Sequence, residues 1–285
     1  MSQHIHYYPG HMAKSIREIE ENISLVDLVI EILDARAPLS SRNPQLLKIK
    51  PNIPRIILLT KKDLADDIIN NKWLTYFLNQ GHKGLICNLK RFNNKLLIDV
   101  AKDAMKEKFE KERSRGLRPR PIRAMVVGIP NVGKSTLINS LARKKAARVG
   151  NKPGVTRSQQ WIKAGNDFEL LDTPGVLWPN LEDQKSALNL ALIGSIKEEV
   201  LPLDFVTRNL LFFLNDNYKE LLINRYGISM DINDEVTVNN FLNEVGLKRG
   251  ILKQEGISDI EAVSKLILRE FRDGIIGNIS LEEPN

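Results

Sequence analysis

Short apolar runs alternate with helical patterns over the first 180 residues, as in proteins built on an α/β sheet. Five of these runs predict buried strands, at residues 28–33, 55–59, 84–87, 124–127 and 168–171. Periodic stretches over residues 98–115 and 136–143 predict helices between strands. From residue 182 to residue 275 the helical period dominates and little strand signal remains. The pattern therefore predicts an α/β domain over residues 1–178 and an all-α domain over residues 179–285.

The last helix of the second domain, expected near residues 258–272, has two distinct faces. The apolar face, expected to lie against the core, holds Val263, Leu266, Ile267 and either Leu268 or Phe271. A basic face holds Lys265, Arg269 and Arg272, and a second basic group is formed by Lys248, Arg249 and Lys253. The chain from Asn278 onward is expected to fray.

The net charge of +7 is unevenly distributed. Residues 1–180 hold 31 Lys and Arg against 17 Asp and Glu, whereas residues 181–285 hold 11 against 18. Residues 113–123 carry five arginines and no acidic residue. A polyanionic partner would explain this segment, because phosphate neutralisation releases counterions. A linker kept soluble by its charge would explain it equally well, so both interpretations stay open.

Cysteine content and hydropathy indicate a cytoplasmic protein without membrane association. Cys87 is the only cysteine, so no internal disulfide can form. No apolar run approaches the roughly 20 residues of a membrane helix. The first residues lack the basic and then apolar pattern of a secretory signal.

A phosphate-binding loop is predicted at residues 128–135, between a strand and a helix. Its glycines allow backbone N–H groups to surround a phosphate, and the helix start adds a favourable dipole. Lys134 would reach the β- and γ-phosphates and take part in catalysis, and the Ser135 hydroxyl would ligate Mg²⁺. The residues expected to contact the phosphates are Asn131, Val132, Gly133, Lys134, Ser135 and Thr136.

Two further segments are expected to complete a site for Mg²⁺ and the γ-phosphate. Asp172 ends a predicted strand and would hold Mg²⁺, and the Gly175 N–H would meet the γ-phosphate. Thr156 lies between these motifs in the chain and is the candidate for a second hydroxyl ligand of Mg²⁺.

A base-reading motif lies far upstream of the phosphate loop, at residues 60–63. The Asp63 carboxylate can accept hydrogen bonds from N1–H and N2–H₂ of guanine, a donor pair that adenine lacks. Lys61 would pack its stem over the base, and Thr60 stands where an Asn is usual. The residues expected to contact the base are Thr60, Lys61, Lys62, Asp63, Asn88 and Leu89, the last two through a backbone N–H to the guanine oxygen.

This order of motifs resembles that of the circularly permuted GTPases. Residues 8–14 (Tyr-Pro-Gly-His-Met-Ala-Lys) and residues 34–36 (Asp-Ala-Arg) narrow the resemblance to the ribosome biogenesis GTPase A family, over the whole chain. The resemblance implies a P-loop GTPase domain with circularly permuted motif order, followed by an all-α C-terminal domain. It also implies binding to a late precursor of the large ribosomal subunit, contact with its RNA, and GTP hydrolysis on maturation and release. Because residues 181–285 are net acidic, RNA contact by this domain would depend on its local basic groups.

The residues after Gly175 are Val-Leu-Trp, where many GTPases place a Gln that orients the attacking water. Hydrolysis is therefore expected to be slow until the ribosomal particle stimulates it. Asn131 lies where related GTPases coordinate K⁺, which would supply positive charge. His11 is a candidate to orient the water once a partner places it, and a packing role for it is equally open. A group of the ribosomal particle, acting in trans, is the third candidate to assist hydrolysis.

Two alternatives to an assembly GTPase are retained. One is a GTP-dependent placeholder on ribosomal RNA with negligible turnover of its own, and the other is a P-loop ATPase, which Asp63 argues against. We expect a monomer. Because the chain passes from Gly175 through residues 177–179 into the helical domain, we expect γ-phosphate contact to affect the orientation of that domain.

Overall fold

The computed structural model describes residues 12–142, 160–164, 166–173, 175, 177 and 183–284. A six-stranded sheet has the order β3-β2-β1-β4-β6-β5. The strands are β1 (Leu28–Asp34), β2 (Arg55–Thr60), β3 (Lys83–Ile86), β4 (Ile122–Val127), β5 (Gln160–Lys163) and β6 (Phe168–Asp172). All neighbouring strands are parallel except β5, which runs antiparallel to β6 at one edge. The five predicted strands are all present, and β5 is an addition to them.

The helices that cover the sheet differ in number from the prediction. They are α1 (Met12–Asn22), α2 (Pro44–Lys48), α3 (Asp67–Asn79), α4 (Asn94–Ser114) and α5 (Lys134–Leu141). The sequence pattern predicted only α4 and α5. After β6 the structure has α6 (Gln184–Leu192), α7 (Leu203–Asn217), α8 (Lys219–Tyr226), α9 (Glu235–Arg249) and α10 (Ile260–Arg272). No helix in the described part of the chain is long and apolar enough to cross a membrane.

The central strands β1, β2 and β4 are buried on both faces, as expected for parallel strands covered by helices, whereas β3 is partly exposed. On one face, Leu33, Ile57 and Leu59 pack with Trp73 and Phe77 of α3. The core on the other face continues without interruption into α6, α7, α9 and α10. The helical region therefore shares a core with the sheet, and the predicted domain boundary at residue 178 lies outside the described residues.

The helix α10 has most of the predicted apolar side: Val263, Ile267, Leu268 and Phe271 are buried, whereas Leu266 is only partly buried. Its basic face is smaller than predicted. Lys265 and Arg269 are exposed, but the guanidinium of Arg272 donates to the carbonyls of Ala191 and Leu192 at the end of α6, at 2.9 and 3.1 Å. Cationic groups are favourable at a helix C-terminus, where backbone carbonyls lack intrahelical partners.

The prediction that the chain frays from Asn278 is wrong. Ile279, Ser280 and Leu281 are buried, and the Ile279 and Leu281 N–H groups donate to the carbonyls of Leu64 and Arg36, at 2.9 and 2.7 Å. The hydrophobic side chains at positions 279 and 281 lose water contact here, and this free energy offsets the cost of ordering the segment.

The side chain of Glu282 extends this docking toward the turn after β1. Its carboxylate accepts hydrogen bonds from the N–H groups of Leu39 and Ser40, and from the side chains of Ser40 and Asn189. The Glu282 carbonyl accepts from the indole N–H of Trp73 at 3.1 Å. The C-terminal segment thus contacts both the sheet half and helix α6.

Candidate nucleotide-binding site

The carboxyl ends of the parallel strands bring the predicted motifs to one edge of the sheet. This is the edge where open α/β sheets bind ligands. Each parallel strand ends there at, or is followed by, part of a predicted motif. Asp34, Thr60 and Asp172 are the last residues of β1, β2 and β6, Asn88 follows β3, and Gly128 follows β4.

The phosphate loop lies against β1, and Gly128 permits this close approach. A Cβ atom at position 128 would lie 2.6 Å from the carbonyl oxygen of Ile32, closer than side chains come to backbone atoms. Asn131 and Gly133 have left-handed backbone conformations, with φ of 64° and 104°. Gly133 is the N-cap of α5, which begins at Lys134, so the helix N-terminus opens directly into the loop.

Lys134 is buried within the loop that it would serve. Its Nζ donates to the carbonyls of Gly128 and Ile129 at 3.0 and 2.9 Å. Burial lowers the pKa of Lys134 to about 8, and the charge of Asp172 acts in the opposite direction. Gly175 lies beside this ammonium: a Cβ there would be 2.9 Å from Lys134 Nζ and 3.0 Å from the Pro130 backbone. The predicted γ-phosphate turn and the phosphate loop are therefore in contact.

Asp172 has the features of a metal-binding carboxylate. It is buried, and its Oδ1 has no hydrogen-bond partner among the described residues. Burial raises the pKa of Asp172 to about 6, against the effect of Lys134. A buried carboxylate oxygen without a donor fits a divalent cation, for which carboxylates are preferred ligands. Ser135 is the second residue of the adjacent helix α5, whereas Thr156 lies outside the described residues.

Clusters of three or more His, Cys, Asp or Glu side chains are absent from the part of the chain that the structure describes.

Thr60 is fully buried and faces the phosphate loop rather than an open base site. Its Oγ1 lies 2.7 Å from the Val132 carbonyl and 3.1 Å from the Leu33 carbonyl, and donates toward both. The hydroxyl therefore links β2 to β1 and to the phosphate loop. Sequence reasoning placed Thr60 beside the base, and the structure gives its side chain a bracing position instead.

The next residue, Lys61, enters a buried ionic chain. Its Nζ lies 2.9 Å from Asp34, which also makes a two-bond ion pair with Arg36, at 2.9 and 2.8 Å. Burial alone would raise the pKa of Asp34, but the charges of Arg36 and Lys61 hold it well below its usual range. Arg36 also contacts the carbonyls of Ile193 and Arg272 at 3.4 Å. The base-reading motif is thus connected to the helical region.

Asp63 and Lys62 are exposed on a short 3-10 turn, Lys62–Leu64, that follows Lys61. Asn88 and Leu89 lie next to them, because the Lys62 N–H donates to the carbonyl of Cys87 at 3.3 Å.

Leu89 also contacts the phosphate loop, since a Cβ at Gly133 would lie 2.5 Å from its Cδ1. The Asn88 side chain accepts a hydrogen bond from the Lys90 N–H at 2.9 Å, which fixes the turn after β3. The turn that carries Asn88 and Leu89 is therefore in contact with the phosphate loop.

The turn after α6 contacts the phosphate loop directly, a link that sequence reasoning missed. The Asn131 amide nitrogen donates to the Gly194 carbonyl at 2.7 Å, and the Ser195 hydroxyl donates to the Pro130 carbonyl at 3.0 Å. The side chain predicted to coordinate K⁺ is thereby oriented by the helical region. Gly194 and Ser195 carried no recognisable motif, so only the fold could reveal this contact.

The remaining candidates have different outcomes. His11 lies outside the described residues. In the arginine-rich segment, Arg120 pairs with Asp27 and Glu112 at 2.7 and 2.9 Å, and Arg123 pairs with Glu169 at 3.1 Å. Intramolecular ion pairs therefore take up part of the charge that a polyanion would otherwise meet.

A glycine-containing loop between β4 and α5, with a buried lysine and a nearby carboxylate, defines a P-loop nucleotide-binding protein. The family model described as "50S ribosome-binding GTPase" matches residues 123–194, which span this loop and β6. The chain is 45% identical over 281 residues to ribosome biogenesis GTPase A of Bacillus cereus, covering 98% of this chain and 94% of that protein. It is 34% identical to the protein of the same name from Thermotoga maritima, covering 98% and 94%.

A solved structure is also similar over nearly the whole chain. The GDP-bound structure of YlqF from T. maritima has a TM-score of 0.68 and 29% identity, and the match covers 94% of this chain and 99% of that one. The protein belongs to the ribosome biogenesis GTPase A family, as its motifs predicted.

Proposed function

We propose that the protein is a circularly permuted GTPase that binds a late precursor of the large ribosomal subunit and promotes its assembly. GTP hydrolysis, stimulated by the particle, drives release. The observation that carries this proposal is the meeting of the phosphate loop, Asp172 and the base-reading turn at one sheet edge, with the helical region hydrogen-bonded to the loop. YlqF of T. maritima was solved in a GDP-bound and in a GNP-bound form, which supports a guanine nucleotide as ligand.

In the proposed site, Asp63 accepts hydrogen bonds from the guanine base and the loop N–H groups hold the phosphates. Lys134 leaves its two carbonyl partners to contact the β- and γ-phosphates. Ser135, Thr156 and Asp172 would hold Mg²⁺, which would neutralise phosphate charge. The Gly175 N–H meets the γ-phosphate, next to Lys134.

Slow turnover in the free protein is the second part of the proposal. The residues that follow Gly175 offer no side chain to orient the attacking water. K⁺ at Asn131, His11 and a group of the ribosomal particle are the three sources of assistance. The particle would therefore act as the activator. The protein, a monomer, would remain bound to the particle until GTP is hydrolysed.

Domain coupling follows from the same contacts. Gly194 and Ser195 are hydrogen-bonded to the phosphate loop, which is a link additional to the predicted one through residues 177–179. We expect the orientation of residues 183–284 to differ between the GDP and GTP forms.

Single-turnover GTP hydrolysis with and without large-subunit precursor particles tests this function. The rate should rise with particles and be higher in K⁺ than in Na⁺, and His11→Ala should lower the stimulated rate while sparing GTP affinity. Binding to particles without any stimulation would instead support the placeholder function. Equal affinities for GDP and ADP would refute guanine recognition and favour an ATPase.

A further inference from the structure

The C-terminal segment, residues 279–281, is hydrogen-bonded along its length to two loops of the nucleotide-binding edge. The Ile279 N–H donates to the Leu64 carbonyl at 2.9 Å, immediately after the base-reading residue Asp63. The Leu281 N–H donates to the Arg36 carbonyl at 2.7 Å, in the turn that carries the ion pair to Lys61. The segment therefore contacts the residue after Asp63 and the turn whose Asp34 pairs with Lys61.

Ser280, between these two residues, joins the base-reading side to the helical region. Its Oγ accepts from the backbone N–H of Asp66 at 3.1 Å, and Asp66 is the N-cap of α3. The Tyr218 hydroxyl accepts from the Ser280 N–H at 3.1 Å and donates to the Ser280 carbonyl at 3.2 Å. Gly274 adds a packing contact, since a Cβ there would lie 2.7 Å from Leu64 Cδ2.

The supported turn has little intrinsic stability. Lys62–Leu64 is a single 3-10 turn of three residues, begins after a left-handed Lys61, and has no side-chain cap. Such short turns have poor hydrogen-bond geometry and depend on their surroundings. The Lys62 N–H bond to Cys87 and the Asn70 amide on the Lys62 carbonyl, at 3.3 Å, hold the start of this turn. Residues 274–281 hold its far end, through contacts at Leu64 and Asp66.

We propose that the C-terminal segment is a positioning element for base recognition. Docked against Leu64 and Asp66, it fixes the turn that presents the Asp63 carboxylate to guanine. This inference rests on the proposed role of Asp63. By linkage, guanine nucleotide binding then favours docking of the segment as strongly as docking favours binding.

Two hydroxyl deletions test the proposal on the full chain. Ser280→Ala removes the acceptor for Asp66, and Tyr218→Phe removes both contacts to Ser280. Each should weaken GDP binding about threefold to tenfold, the equivalent of one hydrogen bond, in competition with a fluorescent guanine nucleotide. Glu283→Gln is the matched control, because Glu283 lies two residues beyond the segment and makes an exposed ion pair with Lys72.

Inorganic pyrophosphate separates positioning from general loss of structure. It contacts the phosphate loop but has no base, so its affinity should stay unchanged in both hydroxyl variants. Unchanged GDP affinity, or equal weakening of GDP and pyrophosphate, would overturn the proposal. Asp63→Asn in the same assay should exchange guanine for xanthine preference, because an amide can donate to the additional xanthine oxygen.

The Asp63 variant distinguishes the two levels of inference. If Asp63→Asn retains GDP affinity, base reading by Asp63 is wrong and the positioning role falls with it. If Asp63→Asn loses GDP while the hydroxyl variants keep it, only the positioning role is wrong.

Hydrogen exchange on the unmodified protein gives an independent measurement, which also decides the matter if the variants do not fold. The Ile279 and Leu281 amides should exchange more slowly with GDP bound. Equal exchange rates with and without GDP would refute the coupling.

Discussion

Replacing Thr60 by Val should separate bracing of the phosphate loop from base contact. The substitution keeps the branched shape and removes a buried hydroxyl that donates to Val132 and Leu33. One lost hydrogen bond costs about 1 kcal/mol, and a buried carbonyl left unsatisfied adds at least a similar amount. The free energy of unfolding should therefore fall by about 2 kcal/mol.

The effect on nucleotide binding has an upper limit set by the same free energy. If losing the bond only reduces the fraction of molecules whose loop is ready to bind, 2 kcal/mol corresponds to at most about a 30-fold weaker GDP affinity. Thr60→Ser is the control, because it keeps the hydroxyl and loses a methyl group. It should cost about 1 kcal/mol of stability and leave GDP affinity within about twofold.

Urea unfolding and fluorescent GDP titration measure the two quantities. If Thr60→Val and Thr60→Ser bound GDP equally well, and Thr60→Val lost less than about 0.5 kcal/mol of stability, Thr60 would have no bracing role.

Two further predictions concern the phosphate loop and the stability of the sheet half. Gly128→Ala should weaken GDP binding at least tenfold, because its Cβ would lie 2.6 Å from the Ile32 carbonyl oxygen. Gly81→Ala is the control and should leave GDP affinity unchanged, because a Cβ there has nothing within 4 Å. Equal GDP affinities of the two variants would contradict the tight packing at Gly128. Although burial opposes it, hydrogen bonds from Arg120 and Lys108 hold the pKa of Asp27 at about 2. Because this pKa lies below the unfolded value, Asp27 contributes stability above about pH 4 that is lost as the pH falls toward 2. Asp27→Asn should thus lower the free energy of unfolding by about 2 kcal/mol at pH 7. In chemical unfolding, the difference in this free energy between the variant and the unmodified protein should shrink as the pH approaches 2. A difference that stays constant with pH would contradict the ion pairs.

Local sequence signals were sufficient for the parallel strands and the phosphate loop. Strand burial follows from apolar runs such as residues 55–59, and the geometry of the phosphate loop follows from the Gly-Lys-Ser spacing at residues 133–135. Both signals come from residues that are adjacent in the chain. The short edge strand β5 gave no comparable signal, because its four residues are mixed in polarity. Helix α3 was missed for a similar reason, since its pattern is only weakly amphipathic.

The contacts that sequence reasoning could not supply join residues far apart in the chain. The bonds from Ser195 to Pro130 and from Ile279 to Leu64 depend on how the helical region lies on the sheet. Thr60 could be recognised as a departure from the usual Asn, but its partner Val132 could not be identified. In the sequence, the apolar residues Ile279 and Leu281 could have indicated that the chain end packs against the core, where the structure places them.

Two arginines converge on the C-terminal end of α6, and this arrangement restricts how the helical region can move. Arg36, from the turn after β1, and Arg272, from α10, both donate to carbonyls of residues 191–193. Gly194 and Ser195, which follow at once, bind the phosphate loop. If a shift of the phosphate loop moved the C-terminal end of α6 away from either guanidinium, buried carbonyls would lose their donors. Such a movement would therefore cost free energy. The helical region should therefore rotate about the end of α6 as a fixed pivot, so that a small shift at the nucleotide becomes a larger arc at its far surface.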